Sequence, residues 1–144
     1  MTEQVLTFDE LRVGTEAPVR THVLTRTDLV RYAGASGDYN PMHHDEIKSQ
    51  AAGQPSVFGH GMFSMGMLAS AIDDFVGVGN LRSYKVRFAR QTWPDEELRT
   101  KITVAALREE DGTIELDVRL LNQDGEEKVI GEATAFLPSR DVGA

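Results

Sequence analysis

The segment 62–76 constrains the fold more than any other part of this 144-residue chain. Its apolar residues lie almost all the way round a helical wheel: Met62, Phe63, Met65, Met67, Leu68, Ala69, Ala71, Ile72, Phe75 and Val76. The length predicts a helix of about 15 residues, roughly 23 Å long at 1.5 Å per residue. A helix without a wide polar face must be covered by other elements, so we expect it to be buried. Gly77 and Gly79 predict its C-terminal end.

The C-terminal half of the chain has the pattern of β-strands. Apolar and polar residues alternate there with a period of two, most clearly over 114–120. The pairs Asp111-Gly112 and Asp124-Gly125 are typical of hairpin turns. The pattern therefore predicts four antiparallel strands after the apolar helix.

The part before the apolar helix predicts one strand at Thr21–Leu24 and two short helices. The first helix has its cap and break signals at Thr25 or Thr27 and at Gly34 and Gly37. Asp45 is the expected cap of the second, Glu46–Ala52, which forms part of a long stretch, Gly34 to Gly61, that is rich in turn residues.

One apolar helix and one sheet favour a particular arrangement of layers. The antiparallel sheet curls around the long central helix and buries it, which is the hot-dog architecture of the α+β class. We expect residues 1–144 to form a single domain of this kind. Curling leaves the edges of the sheet open, and an open edge is a natural place for pairing with a second subunit.

Composition excludes several classes of function. The chain has 15 Lys and Arg against 23 Asp and Glu, a net charge of −8, which argues against binding nucleic acid. It has no cysteine, so disulfides, thiolate metal sites and cysteine nucleophiles are excluded. No apolar run approaches the ~20 residues that span a bilayer, so we expect no membrane insertion. The acidic, polar start lacks the features of a signal peptide, which predicts a cytoplasmic protein.

A short loop holds the strongest chemical signal. Asp38, Asn40 and His43 follow one another at i, i+2 and i+5, and Pro41 stiffens the turn between them. A rigid loop can direct the carboxylate and the imidazole into one small volume. Read alone, Asp38 and Asn40 are also ordinary turn formers, because both residue types bond their own backbone in turns.

A second signal lies where the apolar helix begins. The first N–H groups of a helix have no partner within the helix and favour negative charge. Gly61, in the run Gly59-His60-Gly61-Met62, would let a ligand approach these groups closely. An acid–base pair that handles water, beside a helix start that holds a carbonyl, suits the addition of water to an enoyl thioester. Histidine as a residue type titrates near pH 6.5, which suits proton transfer at neutral pH, whereas aspartate is a weak base.

Four segments then carry a resemblance: LTRTDLVRYAGASGDYNPMHHDE (24–46), FGHGMFSMGM (58–67), SYKVRFARQTWPDEEL (83–98) and VIGEATAFLP (129–138). With them the chain resembles the MaoC-like family of hot-dog (R)-specific enoyl-thioester hydratases and dehydratases. In length and around Val13-Gly14 and Leu24-Thr25-Arg26 it is similar to the catalytic subunit of actinobacterial (3R)-hydroxyacyl-carrier-protein dehydratases.

The resemblance implies a role for each motif residue. Asp38 and His43 fall on the catalytic pair of the family, and Gly61 falls on its carbonyl-binding backbone amide. Asn40, between the pair, is a further expected substrate-binding residue. The implied substrate is an acyl thioester of coenzyme A or of an acyl carrier protein, and no redox or metal cofactor is needed. We expect a homodimer, with a heterodimer as the alternative.

The chain departs from the family at one place. Members often carry Pro-Val-x-Pro-Gly-Asp after the Arg-Phe strand, and this chain has the residues Gln91, Thr92, Trp93, Pro94, Asp95 and Glu96 there. The catalytic pair is intact, so the departure concerns the rim of the pocket and the shape of the tunnel.

Other polar residues have simpler interpretations. His60 is expected to brace the loop, and His22 and His44 to be solvated or structural. A metal site at 43–45 and His60 is disfavoured, since adjacent residues rarely point the same way and no known ligand spacing is present. The methionines Met62, Met65 and Met67 are expected in the core. The basic residues Arg82, Lys85, Arg87 and Arg90 form either a solvated strand or a contact for phosphates or an acidic carrier protein.

Two other functions remain open at this point. A hot-dog thioesterase would depend on an acid of the central helix, such as Asp73 or Asp74, and would release free thiol. A weakly active partner subunit of a dehydratase heterodimer would shape a tunnel without much turnover of its own. It is disfavoured because Asp38 and His43 are both present.

Overall fold

Five strands form one open antiparallel sheet in the part of the chain, residues 6–139, that the computed structural model describes. The elements are β1 (Thr21–Val23), α1 (Arg26–Ser36), α2 (Glu46–Ala51), α3 (Gly61–Val76), β2 (Leu81–Phe88), β3 (Glu97–Arg108), β4 (Thr113–Leu121) and β5 (Glu127–Phe136). The strand order is β1-β3-β4-β5-β2, so the two strands that flank the helices in sequence form the two edges.

The apolar helix is confirmed as α3, which packs against strands β2 to β5. Leu68 and Ile72 of this helix are fully buried, as are the inward residues of β4: Ile114, Leu116, Val118 and Leu120. Gly77, with φ of 93°, ends the helix as predicted. The predicted hot-dog arrangement of a curled sheet around a central helix is therefore confirmed.

The prediction that α3 is buried on all sides is only half right. Met62 is 56% exposed, and Gly66, Ser70 and Asp74 are exposed along the same face. One sheet can cover only one side of a helix, so a stripe of α3 faces outward in the single chain. Met62 is therefore not a core residue, whereas Met65 and Met67 are half-buried.

The local signals before α3 behave as predicted with one exception. Thr25 caps α1 by accepting a hydrogen bond from the Asp28 N–H, and Asp45 caps α2 through the Lys48 N–H. Gly37, at φ of 76°, ends α1 in the left-handed conformation that glycine adopts without strain. Gly34 lies inside α1, so the prediction that it breaks the helix is wrong.

The hairpin predictions are confirmed for both turns. Gly112 and Gly125 have φ of 72° and 79°, and they join β3 to β4 and β4 to β5. The predicted alternation over 114–120 gives a strand whose even-numbered residues are all buried. Among the described residues, no helix has both the length and the apolar character needed to cross a membrane.

Candidate active site

The loop after α1 brings its acid and its imidazole together. The Asn40 N–H donates to the Asp38 Oδ1 atom at 3.2 Å, and the Asn40 side-chain oxygen accepts from the Met42 N–H at 3.1 Å. These bonds fold residues 41–43 into one turn of 3₁₀-helix. The side chains of Asp38 and Asn40 therefore stabilise the turn. The turn in turn directs His43 toward Asp38. Asn40 itself is exposed, and its assignment as a substrate-binding residue stays a prediction.

His43 is 8% exposed and has one ring nitrogen fixed. Its Nδ1 atom lies 2.6 Å from the main-chain oxygen of Phe58, which accepts a hydrogen bond from it. In the neutral ring the proton therefore sits on Nδ1, and Nε2 carries the free lone pair. This Nε2 atom lies 3.9 Å from Oδ2 of Asp38, whose side chain is 51% exposed. The free nitrogen of His43, a possible base, therefore faces the Asp38 carboxylate, which is accessible to solvent.

His60 braces this pair from inside, as expected from the sequence. It is 1% exposed, and its ring stacks on that of His43 with centroids 3.9 Å apart and planes 26° apart. Its Nε2–H donates to the main-chain oxygen of Asp38 at 3.2 Å. Burial and then the neighbouring His43 lower the pKa of His60 below its usual 6.5, which favours the neutral ring. The Tyr32 ring also packs against His60, with ring centroids 4.7 Å apart.

The start of α3 lies beside this pair and has no side-chain cap. His60 is the residue before the helix, and its side chain makes no hydrogen bond to the first turn. The first N–H groups, beginning with that of Gly61, therefore keep their donor capacity. A Cβ atom at Gly61 would lie 2.8 Å from the ring of Phe88, so glycine lets the aromatic ring lie directly on the backbone.

A cavity of about 180 Å³ lies between His43 and the start of α3, and Asp38 is not among its lining residues. Its lining includes His43, Gly61, Ser64, Phe88, Thr92 and Lys128. The surface that these residues expose to the cavity is mostly apolar, with a few polar groups, which is typical of small-molecule sites. Depressions of larger volume lie on the outer face of the sheet and beside the exposed stripe of α3, away from the His43 imidazole.

A buried lysine under this cavity is a feature that sequence reasoning missed. Lys128 is 1% exposed, and its Nζ atom lies 3.0 Å from Glu96, 2.5 Å from Glu126 and 2.9 Å from the main-chain oxygen of Gln91. Glu96 also accepts from the Asn122 amide at 2.7 Å. The network anchors the 91–96 segment, which is the part that departs from the family pattern. The one feature of the sequence that points to this buried network is the position of a lysine directly before the apolar pair at 129–130.

The same segment shows what the departure does to the backbone. The main-chain oxygen of Thr92 accepts from the Gly59 N–H at 2.8 Å, which joins the segment to the approach of α3. Asp95, where family members often have glycine, has φ of 74°. It is the one non-glycine residue with positive φ among residues 6–139. The segment thus keeps a glycine-type turn with an aspartate in it.

Three residues of the site offer possible metal ligands. Asp38, His43 and His60 have ligand atoms within 4.8 Å of one another. The two imidazoles are stacked, so their nitrogen lone pairs lie in nearly parallel planes. One ion would need a ring to rotate before it could bind both. His44 lies outside this group, with its Nε2 donating to the Tyr39 oxygen at 3.1 Å. The absence of a metal stays a prediction.

The acids of the alternative thioesterase site lie far along α3. Asp73 follows Gly61 by twelve residues, about 18 Å along the axis at 1.5 Å per residue. Asp74 forms an ion pair with Arg20. Neither acid lines the cavity that holds His43.

The basic residues of the β2 region are partly engaged. Arg82 donates to the Gly79 oxygen at 2.7 Å and lies over the Phe136 ring, and Arg90 lies 3.5 Å from Glu126. Lys85 lies opposite Glu132 on β5. Both interpretations of this group, a solvated strand or a contact for phosphates, remain compatible with these contacts.

Comparisons with known proteins show which family the chain is similar to. The 3-hydroxyacyl-[acyl-carrier-protein] dehydratase of Arabidopsis thaliana mitochondria is 29% identical over 135 residues, which cover 92% of this chain and 81% of that protein. The fatty acid synthase beta subunit TOXC of Cochliobolus carbonum is 29% identical over 106 residues, 71% of this chain but only 5% of that protein. In length, this chain is therefore comparable with the first relative and a small part of the second.

A solved structure gives the same answer for the fold. The R-hydratase PhaJ1 from Pseudomonas aeruginosa, in its unliganded form, matches with a TM-score of 0.82 and 29% identity over 93% of this chain and 86% of that one. The sequence model of the MaoC-like domain matches residues 10–125, which include Asp38, His43 and Gly61. Because this match covers more than half of the chain, the chain belongs to the MaoC-like dehydratase domain family.

Proposed function

We propose that this protein is a hydro-lyase that adds water reversibly to trans-2-enoyl thioesters and forms (3R)-3-hydroxyacyl thioesters. One observation carries the proposal: the free Nε2 of His43 faces the Asp38 carboxylate at 3.9 Å, beside the uncapped start of α3. Family membership and the names of the R-hydratase and dehydratase relatives support it.

The acid–base chemistry follows from the two side chains. A water molecule held between Asp38 and His43 loses a proton to the His43 Nε2 atom while its oxygen attacks Cβ of the enoyl group. The electrons move to the thioester oxygen and give an enolate, and Cα then takes a proton that the same pair delivers. General acid–base assistance of this kind contributes about 10²–10⁴-fold to a rate. Dehydration runs the same steps in reverse.

The start of α3 supplies the second part of the mechanism. The Gly61 N–H donates to the thioester oxygen, where negative charge grows as the enolate forms. Backbone donors placed in advance stabilise such charge more in the transition state than in the ground state. Loss of one donor at comparable sites costs about 2.7–4 kcal/mol.

The carrier of the acyl group is coenzyme A or the phosphopantetheine of an acyl carrier protein. The exposed cationic side chains near β2 and the cavity mouth, with Arg90 among the lining residues, favour phosphate groups there. We further propose a homodimer that pairs through an open edge of the sheet, since β1 and β2 each have one edge without a partner strand in the described chain. A cytoplasmic location stays a prediction of the sequence.

One assay separates the proposed reaction from its alternatives. Wild type and His43→Ala are incubated with crotonyl-CoA and with a long-chain enoyl-CoA, and both enoyl absorbance and free thiol are measured. We expect absorbance to fall without thiol release in the wild type only. Thiol release would indicate a thioesterase. An inactive wild type would contradict independent turnover of coenzyme A esters and favour a carrier-protein substrate or a partner subunit.

A further inference from the structure

A buried hydroxyl group in the first turns of α3 has no partner among the described residues. Ser64 is 2% exposed, and its Oγ atom makes no hydrogen bond within residues 6–139. A serine inside a helix commonly bonds the carbonyl four residues earlier, yet here only the Ser64 N–H bonds the His60 oxygen, at 3.3 Å. Burying a hydroxyl without a partner costs free energy, so the position calls for an explanation.

The position of Ser64 relative to the helix start gives that explanation. Ser64 lies three residues after Gly61, so both lie on the same side of α3, and both line the cavity that holds the His43 imidazole. Side chains of a helix tilt toward its N-terminus, which brings a serine hydroxyl back toward the level of the preceding turn. The Ser64 hydroxyl therefore faces the same small volume as the Gly61 N–H.

A second residue of the cavity lining shows the same property. Thr92 is 3% exposed, lines the cavity, and its Oγ1 atom also lacks a partner in the described part of the chain. Two buried hydroxyls without partners in its lining make the cavity suited to an oxygen-bearing group rather than to a purely aliphatic one.

We propose that the Ser64 hydroxyl is a second donor to the thioester carbonyl oxygen, next to the Gly61 N–H. This inference rests on the proposed function, because it assigns the ligand of Ser64 to the reacting thioester. Ser64 keeps its proton throughout. The Ser64 hydroxyl takes part in no covalent step. Its hydrogen bond to the thioester oxygen becomes stronger as this oxygen becomes an enolate oxygen. The first turn of α3 then binds the oxygen with one backbone and one side-chain donor.

Kinetics of Ser64→Ala test the proposal. We expect kcat/KM for crotonyl-CoA to fall about 10²-fold, mainly through kcat, because the bond is strongest in the transition state. The melting temperature should stay equal or rise, because alanine removes an unpaired hydroxyl. The thiol of Ser64→Cys is a weak donor of similar size, so kcat/KM of this variant should lie between the values of the wild type and of Ser64→Ala. Ser70→Ala on the exposed stripe is the matched control and should leave the rate unchanged.

A binding experiment gives a readout that does not need turnover. Calorimetry compares butanoyl-CoA with S-butyl-CoA, a thioether that lacks the carbonyl oxygen. The wild type should prefer the thioester by about 2- to 10-fold, the range of one hydrogen bond. Ser64→Ala should reduce this preference and leave thioether binding unchanged.

The two proposals fail in different ways. An unchanged rate and an unchanged thioester preference in Ser64→Ala would overturn the role of Ser64. The thioester preference alone decides this point if the wild type is inactive. A wild type that binds the thioester with a preference that depends on Ser64, but hydrates no enoyl ester, would overturn the proposed function and support the carbonyl site.

Discussion

The Nδ1 atom of His43 lies 2.6 Å from the main-chain oxygen of Phe58, and this contact fixes which ring nitrogen can act as a base. The carbonyl only accepts, so Nε2 is left free toward Asp38 in the neutral ring. Phe58 also packs edge-on against the imidazole, at 5.2 Å between centroids. A residue just before α3 thus sets the chemistry of a residue in the loop after α1.

Removal of the imidazole tests this arrangement. His43→Ala should lower kcat by at least about 10²-fold, because the general base is lost while the loop keeps its other contacts. Circular dichroism and the melting temperature check that the fold is kept. His44→Ala, at an exposed neighbour, is the control and should keep full activity. Near-full activity of His43→Ala would contradict the mechanism.

Asp38→Asn separates the charge of this residue from its role in the turn. The amide keeps an oxygen that can accept from the Asn40 N–H, so the turn should form. We expect a similar loss, about 10²-fold in kcat, because the water is no longer oriented by a carboxylate. Steady-state kinetics measure it. An unchanged rate would leave Asp38 as a turn residue only.

The burial of His60 predicts a pH effect on stability. Its pKa is lowered in the folded protein by burial, so the unfolded chain binds more protons once the pH falls below about 6.5. The stabilising contribution is complete above this value and is lost as the pH falls from there toward the folded pKa. Urea unfolding at pH 7.5, 6.5 and 5.5 should show this loss. His60→Phe keeps a stacked ring without the titration and should show a weaker dependence in this window.

Substitution by valine should change the free energy of unfolding in opposite directions at two buried threonines. Thr92 and Thr100 are 3% and 2% exposed, but only Thr100 has a bonded hydroxyl, which accepts from the Arg20 N–H at 2.9 Å. Thr92→Val should raise the free energy of unfolding by about 1 kcal/mol, and Thr100→Val should lower it by about 1–2 kcal/mol. Urea denaturation measures both. Changes of the same sign would contradict the assignment of the unpaired hydroxyl.

The buried lysine predicts a large loss of stability. Lys128→Met leaves Glu96 buried without its cation, which should cost about 3–5 kcal/mol. Arg108→Met removes an exposed pair with Glu115 and should cost less than about 1 kcal/mol. Equal effects of the two substitutions on the free energy of unfolding would show that the Lys128 network is not buried in solution.

The sequence predicts what depends on neighbouring residues. The bounds of α3, the hairpin glycines and the caps Thr25 and Asp45 follow from periodicity and local hydrogen bonding, and the motif around Asp38 and His43 is a single short loop. The prediction for Gly34 is wrong because the interior of a helix tolerates glycine at a modest cost in stability.

What the sequence did not predict depends on pairing between distant segments. Lys128 and Glu96 are 32 positions apart, and only the order of the strands brings them together. The exposed stripe of α3 also depends on distant segments. The apolar pattern of a helix does not determine how much of its surface the sheet will cover. The unpaired hydroxyl of Ser64 reads as an ordinary helix residue until its surroundings are known.

Because His60 provides no side-chain cap for α3, selection for stability and selection for activity favour different residues at this position. Aspartate or serine at this position would satisfy the first N–H groups of α3 and add about 0.5–2 kcal/mol to stability. Such a cap would bond the N–H of Met62 or Phe63, but it would remove the His60 ring that stacks on His43 and holds the main-chain oxygen of Asp38. A screen of variants for heat resistance alone would therefore enrich capped, inactive proteins, and only a screen that also demands turnover would keep histidine here.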